Sequence, residues 1–248
     1  MYEDLFGKTV LITGGTGGLG RQLIRDFSQS GANLVVQSRV LTDDFNQWLE
    51  DTTSEAGVKL TKLLFDLSDE ESIKNAFKTM SASTEIDVLV NNAGVAHGGL
   101  TQMTPVSEVR KVFEINYFSQ ILITQSVVRR MIRKGSGKIV NIASISGLDS
   151  KTGNVAYGAS KAAMIAFTRT LSSELSGSGI RVNCVAPGLM ETAMATLMEE
   201  KAKQTMIEES GLGRLAKTEE VSRVVVFLSS DQSSLINGQT LRVDGGPS

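Results

Sequence analysis

The sequence predicts a single α/β domain, a doubly wound parallel sheet with helices on both faces, filling residues 1–248. Three observations carry this reading. Short β-branched runs alternate with longer helical stretches from one end of the chain to the other. The runs are apolar nearly throughout instead of alternating in polarity, as strands covered on both faces are. No proline-, glycine- or serine-rich linker interrupts the rhythm, and the 248 residues include only 3 prolines.

The elements follow in order. Residues 9–13, Thr-Val-Leu-Ile-Thr, read as a buried strand. Residues 18–30 read as a helix that stops before Gly31, a residue suited to a helix end. Further strands are predicted at 33–38, 59–65, 86–91, 138–143, 180–186 and 239–243. Helices are predicted at 70–80, 106–134, 155–176 and 218–229.

Composition excludes several functions. A formal charge of −2 lacks the basic excess of an electrostatic nucleic-acid binder. One cysteine, Cys184, allows no intrachain disulfide, and one histidine, His97, argues against a histidine-based zinc site, so no metal is expected. The start, Met-Tyr-Glu-Asp-Leu-Phe-Gly-Lys, is acidic, with no apolar run behind a basic stretch, so no signal peptide is expected there. No run approaches the roughly 20 apolar residues of a membrane span, so the expected compartment is the cytoplasm.

The first strand runs directly into Gly14-Gly15-Thr16-Gly17-Gly18-Leu19-Gly20 and then a helix. A strand-to-helix turn leaves backbone N–H groups free at the positive end of the helix dipole, aimed at a diphosphate. Gly14 would permit the tight turn, Gly18 a close approach of the ligand, and Gly20 close helix–strand packing. Thr16 and Leu19 complete the cofactor-binding turn. A glycine-rich loop alone would equally describe a flexible turn; the strand before it is what gives it meaning. The second strand ends Gln37-Ser38-Arg39. No acid stands there to hold a ribose 2′-hydroxyl, whereas Ser38 and Arg39 can donate to a 2′-phosphate, which predicts NADP(H).

Tyr157 and Lys161 are four residues apart on a predicted helix and share a face. A free tyrosine, with a pKa of about 10, is a poor base, and a neighbouring ammonium favours its phenolate. Ser144 ends a predicted parallel strand, where open α/β sheets bind ligands, and its hydroxyl could hold a substrate oxygen. Taken alone, a Tyr-x-x-x-Lys pair describes a surface tyrosine on a lysine stem just as well.

Together these motifs resemble the short-chain dehydrogenase/reductase family, from Lys8 to Gly246. The resemblance rests on Thr13-Gly14-x-x-x-Gly18-x-Gly20, on Asn91-Asn92-Ala93-Gly94, on Ser144, Tyr157 and Lys161 in order and spacing, and on Pro187-Gly188. It implies a Rossmann fold and further roles. Asp66, with Leu67 beside it, looks like the adenine contact. Asn92, Ala93 and Gly94 would line the cofactor, and Asn91 would brace the sheet. Asn116 looks like the fourth catalytic residue, ordering a water next to the lysine. Pro187 and Gly188 would border the nicotinamide, Thr192 would bond its carboxamide, and Lys161 its ribose.

The substrate is less legible. Residues 189–212 are where such enzymes carry a lid, and Met190, Met194, Met198 and Met206 recur there as on one helical face. They suit an apolar pocket wall or an ordinary core-facing helix. Asn154, three residues before Tyr157, is close enough to touch substrate or else shapes the loop. His97 reads as a surface-loop residue and Cys184 as a small buried one.

Two stretches, 182–192 and 236–246, look like 3-oxoacyl-[acyl-carrier-protein] reductases, which implies an acyl-carrier-bound or small carbonyl substrate. Arg129, Arg130, Arg133 and Lys134 form a basic helix end suited to an acidic carrier. Against this, Ser178 stands where many such reductases have arginine, and the glycine-rich loop lacks their usual arginine, offering Thr16 and Gly17 instead. A sugar, polyol or small-ketone dehydrogenase and a non-catalytic nicotinamide sensor are the alternatives. The resemblance also implies a homotetramer built on helices 106–134 and 155–176.

Overall fold

The computed structural model describes residues 2–80, 84–196 and 200–246. Seven parallel strands form one sheet in the order β3-β2-β1-β4-β5-β6-β7. They are β1 (Thr9–Ile12), β2 (Asn33–Ser38), β3 (Leu60–Leu64), β4 (Val88–Asn91), β5 (Gly137–Ile142), β6 (Ile180–Pro187) and β7 (Thr240–Val243). The order reverses at β1, which pairs with β2 on one side (Leu11↔Val35) and β4 on the other (Leu11↔Leu89). In open α/β sheets that reversal opens a crevice at the carboxyl ends of the strands.

The helices are α1 (Gly18–Gln29), α2 (Asp43–Glu55), α3 (Glu70–Thr79), α4 (Val106–Phe113), α5 (Ser119–Lys134), α6 (Val155–Glu174), α7 (Ala193–Thr196), α8 (Glu200–Glu208) and α9 (Thr218–Ser229). The apolar strands work because both faces are covered. Val10 and Ile12 join one core with Leu23 and Phe27 of α1, Phe45 and Leu49 of α2, and Val225 of α9. Leu11 points the other way, into a second core with Phe77 of α3, Val127 of α5 and Leu171 of α6. Emptying one such position, as in Phe27→Ala, costs about 3–5 kcal/mol.

Three elements depart from the sequence prediction. Helix α2 was not foreseen: its face toward the core carries only Phe45, Leu49 and Thr53 among polar neighbours. Its start is nonetheless written in Thr42, whose hydroxyl accepts from Phe45 N at 3.3 Å. The helix predicted at 106–134 is interrupted by a π-turn, Glu114–Phe118, between α4 and α5. The segment 189–212 contains α7 and α8. Met198 lies outside the described residues, as does the Met194 side chain, while Met190 pairs with Ala216 and Met206 is half-buried.

Candidate active site

The glycine turn is shaped by the strand next to it. Gly14 has φ +69°, and a Cβ there would lie 2.8 Å from Ala93 Cα. A Cβ on Gly18 would lie 2.8 Å from Thr192 Cγ2, and one on Gly20 2.2 Å from Gly14 O. The turn is stitched to Asn92 and Ala93 by Thr13, whose hydroxyl accepts both their N–H groups at 3.0 Å. Asn92 Nδ2 returns a bond to Thr13 O at 2.9 Å. No side chain caps α1, so its first N–H groups, those of Gly18 and Leu19 among them, remain available to an anion.

A residue missed by sequence reading completes this cradle. Gln37 is buried; its Oε1 accepts from Gly14 N at 2.9 Å and its Nε2 donates to Phe65 O at 2.9 Å. It also accepts from Gly15 N through its own carbonyl at 3.0 Å. One carboxamide thus locks the turn to the ends of β2 and β3. The available signal was a glutamine at the end of the apolar run Leu34-Val35-Val36.

Next to it the Ser38 hydroxyl is buried, with no hydrogen-bond partner among the described residues. Such a group in a native fold calls for a ligand or water. Arg39 is exposed, and Thr16 too. The Asp66 carboxyl is held below its usual range by the Ser68 backbone N–H, then the Ser68 hydroxyl, with a smaller pull from Arg39. Ser68 N and Oγ reach Asp66 Oδ1 at 2.8 and 2.7 Å. Half-buried Leu67 packs on the second core. The glycine cradle and the unpartnered serine fit a nicotinamide dinucleotide.

The four predicted catalytic residues converge at the ends of β4 and β5. Ser144 follows β5, accepts from Ser146 N at 3.1 Å and hydrogen-bonds the Tyr157 phenol. Lys161, buried on α6, donates from Nζ to Ile142 O at 2.8 Å and lies 5.7 Å from the Tyr157 ring centre. Burial pulls its ammonium down to about 8. Burial also pushes the Tyr157 phenol up, which the Ser144 bond only partly offsets. The expectation that the ammonium lowers the phenol's pKa is therefore not met in this state: desolvation dominates, and the resting side chain is a phenol. Cys184, buried beside Lys161, is pushed up by burial to about 11 and stays a neutral thiol.

Asn116 sits in the π-turn, a distortion common at functional sites. Its side chain accepts from Val95 N (2.8 Å) and donates to Val95 O (2.9 Å) and Ser160 Oγ (3.0 Å). Ser160 in turn donates to Tyr157 O at 2.7 Å. A Cβ on Gly94 would fall 3.2 Å from Asn116 Oδ1 and 3.3 Å from Lys161 Nζ, so glycine keeps the space between amide and ammonium open.

Around this centre, Asn154 starts α6 and bridges to Gly99, with Gly99 N donating to Gly153 O at 2.7 Å. His97 Nδ1 lies 4.0 Å from Glu108 Oε2, at the rim. Pro187 ends β6, and Gly188 N donates to Val243 O at 3.0 Å. Arg242, also missed, forks onto Asp149 at 3.0 and 2.8 Å and holds Asp244, tying the Ser144–Tyr157 loop to β7. Of the basic helix end, Arg130 is engaged with Thr84 O and Phe77 O, and Lys134 with Glu85 and Asp87. Arg129 and Arg133 are exposed. A groove of about 1060 Å³ between Phe6, α1 and α2 contains none of the predicted site residues. Among the described residues no three metal-ligating side chains gather, and no helix is long and apolar enough to cross a membrane.

A diphosphate cradle at the sheet's switch point, with a phenol, an amine and a hydroxyl at the neighbouring strand ends, defines an oxidoreductase acting on CH–OH and C=O groups. Comparison with known proteins agrees. A family model described as enoyl-(acyl carrier protein) reductase matches residues 14–248. The chain is 37% identical to the 3-oxoacyl-[acyl-carrier-protein] reductase of Thermotoga maritima, covering 98% of each. It is 36% identical to that of Aquifex aeolicus, covering 99% of each. Among solved structures, an assigned NAD(P)-dependent gluconate 5-dehydrogenase from Beutenbergia cavernae with bound NADP matches at TM-score 0.92 and 32% identity, over 99% of this chain and 98% of that one. The chain belongs to the short-chain dehydrogenase/reductase family.

Proposed function

We propose that the protein is an NADPH-dependent carbonyl reductase acting on 3-oxoacyl thioesters carried by an acyl carrier protein, as a soluble cytoplasmic enzyme. The observation that carries the cofactor reading is the pair at the end of β2: a buried, unpartnered Ser38 hydroxyl beside exposed Arg39, with no carboxylate at that strand end. The bound NADP in the Beutenbergia structure supports it. The substrate reading rests on near-full-length likeness to 3-oxoacyl-[acyl-carrier-protein] reductases, with Arg129 and Arg133 exposed to meet an acidic carrier.

The residues holding the cofactor are Gly14, Thr16, Gly18, Leu19 and Gly20 at the diphosphate, Ser38 and Arg39 at the 2′-phosphate, and Asp66 and Leu67 at the adenine. Asn92, Ala93, Gly94, Pro187, Gly188 and Thr192 line the remainder. When bound, the nicotinamide supplies the hydride. Ser144 holds the substrate oxygen, and Tyr157, kept as a phenol by burial, gives that oxygen its proton. Lys161, near 8, can hold or release a proton at neutral pH, and Asn116 with the open space at Gly94 provides room for the water that resupplies it. Asn154 faces the substrate from the start of α6.

Assay with acetoacetyl thioesters, ketoses and simple ketones, each with NADPH and NADH, tests the reading. Thioester reduction with NADPH as preferred donor is expected. Preference for a ketogluconate would support the second reading, a sugar-acid dehydrogenase, which the gluconate dehydrogenase-like structures favour. Turnover of none of them, with cofactor bound, would favour a sensor. We further propose a homotetramer through α4, α5 and α6, where Val106 and Phe118 are exposed. Light scattering giving a monomer would refute it.

A further inference from the structure

Arg21 is a cation at the nucleotide half with no assigned task. It stands in the first turn of α1, and its Nε donates to Thr16 O at 3.3 Å. Its guanidinium carbon lies 4.9 Å from the ring centre of Phe45 and 4.8 Å from that of Trp48. Those two rings stack on each other at 5.7 Å, 22° from parallel, on α2. The guanidinium is therefore fixed in position and orientation, on a platform that leaves its charge intact. Among the described residues its two Nη groups meet no acceptor and no carboxylate pairs with it, unlike Arg214 and Arg242, which are spent on carboxylates.

The platform and the β2 end belong to one stretch of chain. Ser38 and Arg39 lead through residues 40–42 into α2, where Thr42 caps the helix and sets Phe45 one turn in. Arg21 links that stretch to the glycine turn at Thr16. The turn itself, residues 14–20, carries no basic side chain.

We infer that Arg21, held on the Phe45–Trp48 platform, is a specificity-determining residue that takes the cofactor's 2′-phosphate together with Ser38 and Arg39. This rests on the NADP reading above. A guanidinium with two free Nη groups and a fixed plane suits the forked oxygens of a phosphate monoester. The rival role is packing alone, in which the cation–π contact merely fastens α1 to α2.

The test uses the whole protein and two fragments differing only in the phosphate, 2′,5′-ADP and 5′-ADP, titrated calorimetrically. Wild type should bind 2′,5′-ADP at least tenfold more tightly. Arg21→Ala should weaken 2′,5′-ADP by about tenfold or more, the size of a lost charge-assisted hydrogen bond, and 5′-ADP by less than twofold. Arg21→Lys, which keeps the charge without the fork, should lie between. Trp48 is the chain's single tryptophan, so its fluorescence should respond to 2′,5′-ADP and not to 5′-ADP, and the response should vanish in Arg21→Ala. A wild type that does not distinguish the fragments refutes the NADP reading and this inference with it. A wild type that does, beside Arg21 variants that distinguish them equally well, refutes the role of Arg21 alone. Equal weakening of both fragments, with a lowered Tm, assigns Arg21 to packing and overturns the inference.

Discussion

On the β4–β6 side of the sheet a run of buried amides and hydroxyls is tied together, with Asn91 Oδ1 alone of that run lacking a partner among the described residues; at the end of β2 the buried Ser38 hydroxyl has none. Asn91 Nδ2 donates to Thr124 Oγ1 at 2.9 Å and to Asn141 Oδ1 at 2.8 Å, and Asn141 Nδ2 donates to Thr168 Oγ1 at 2.8 Å. This buried chain crosses α5, β4, β5 and α6, the elements that carry or back the proposed catalytic residues. At the nucleotide end, by contrast, the Ser38 hydroxyl is unpartnered and Arg39 and Thr16 are exposed. A site that must stabilise charge at the moment of reaction gains from groups fixed in advance. One that must grip a ligand gains from donors not yet satisfied.

The sharpest test of that contrast is Tyr157→Phe. It removes the proposed proton donor and leaves the glycine turn untouched, so kcat should fall about 10³-fold or more while the NADPH dissociation constant moves less than twofold. Stopped-flow turnover beside calorimetric titration measures both. If more than a few per cent of activity survives, the phenol is not the acid.

Asn141→Leu attacks the paired half directly. It strands one Asn91 amide proton in the core, at about 1–3 kcal/mol, and takes from the Thr168 hydroxyl the bond it accepts while leaving the one it donates to Met164 O. Urea unfolding should register the loss in the absence of cofactor. A variant as stable as wild type would show that the chain is not a brace.

Gln37→Met sits between the halves, because Gln37 is paired and yet belongs to the nucleotide end. Its loss should free the glycine turn, raising the KM for NADPH about tenfold with kcat little changed. A fall in kcat at constant KM would instead place Gln37 with the catalytic group.

How much of this was legible in the sequence follows the same division. The strands were readable because each is an unbroken apolar run, and Ser144, Tyr157, Lys161 and the glycine turn because short-range spacing carries their chemistry. What stayed hidden depends on partners distant in sequence. Gln37 reaches Phe65 and Gly14, Arg242 reaches Asp149 across 93 positions, and Arg21 acquires its meaning from rings on α2. The π-turn at Asn116 leaves no local signature, since residues 106–134 are helical on either side of it. Desolvation is hidden for the same reason: spacing placed an ammonium near a phenol, and only the fold revealed that burial shifts both groups toward their neutral forms.

That burial makes a pH prediction with a definite sign. Lys161 falls from 10.5 toward 8 in the folded protein, so the folded chain sheds this proton before the unfolded chain does. Reductase kcat/KM should be level below about pH 8 and fall by up to tenfold per unit above it. Over the same window from 8 to 10.5, Lys161 contributes rising stability, because the unfolded state there binds more protons. Activity and this contribution to Tm thus run in opposite directions, which separates deprotonation from alkaline unfolding. Lys161→Met should abolish the limb in whatever activity remains.

The smallest expected effect is at Ser38. Its hydroxyl has no partner to lose, so Ser38→Ala should leave the free protein's Tm unchanged or slightly raised, since an unsatisfied buried hydroxyl is removed. NADPH should weaken by roughly three- to tenfold, the value of one hydrogen bond, and NADH should not change. At Asn141, by contrast, the expected effect is on stability. If Ser38→Ala lowered Tm and spared NADPH, the hydroxyl would be serving the fold, and the contrast between a tied run of amides at β4–β5 and a nucleotide end that keeps a donor in reserve would fail at the residue that best defines it.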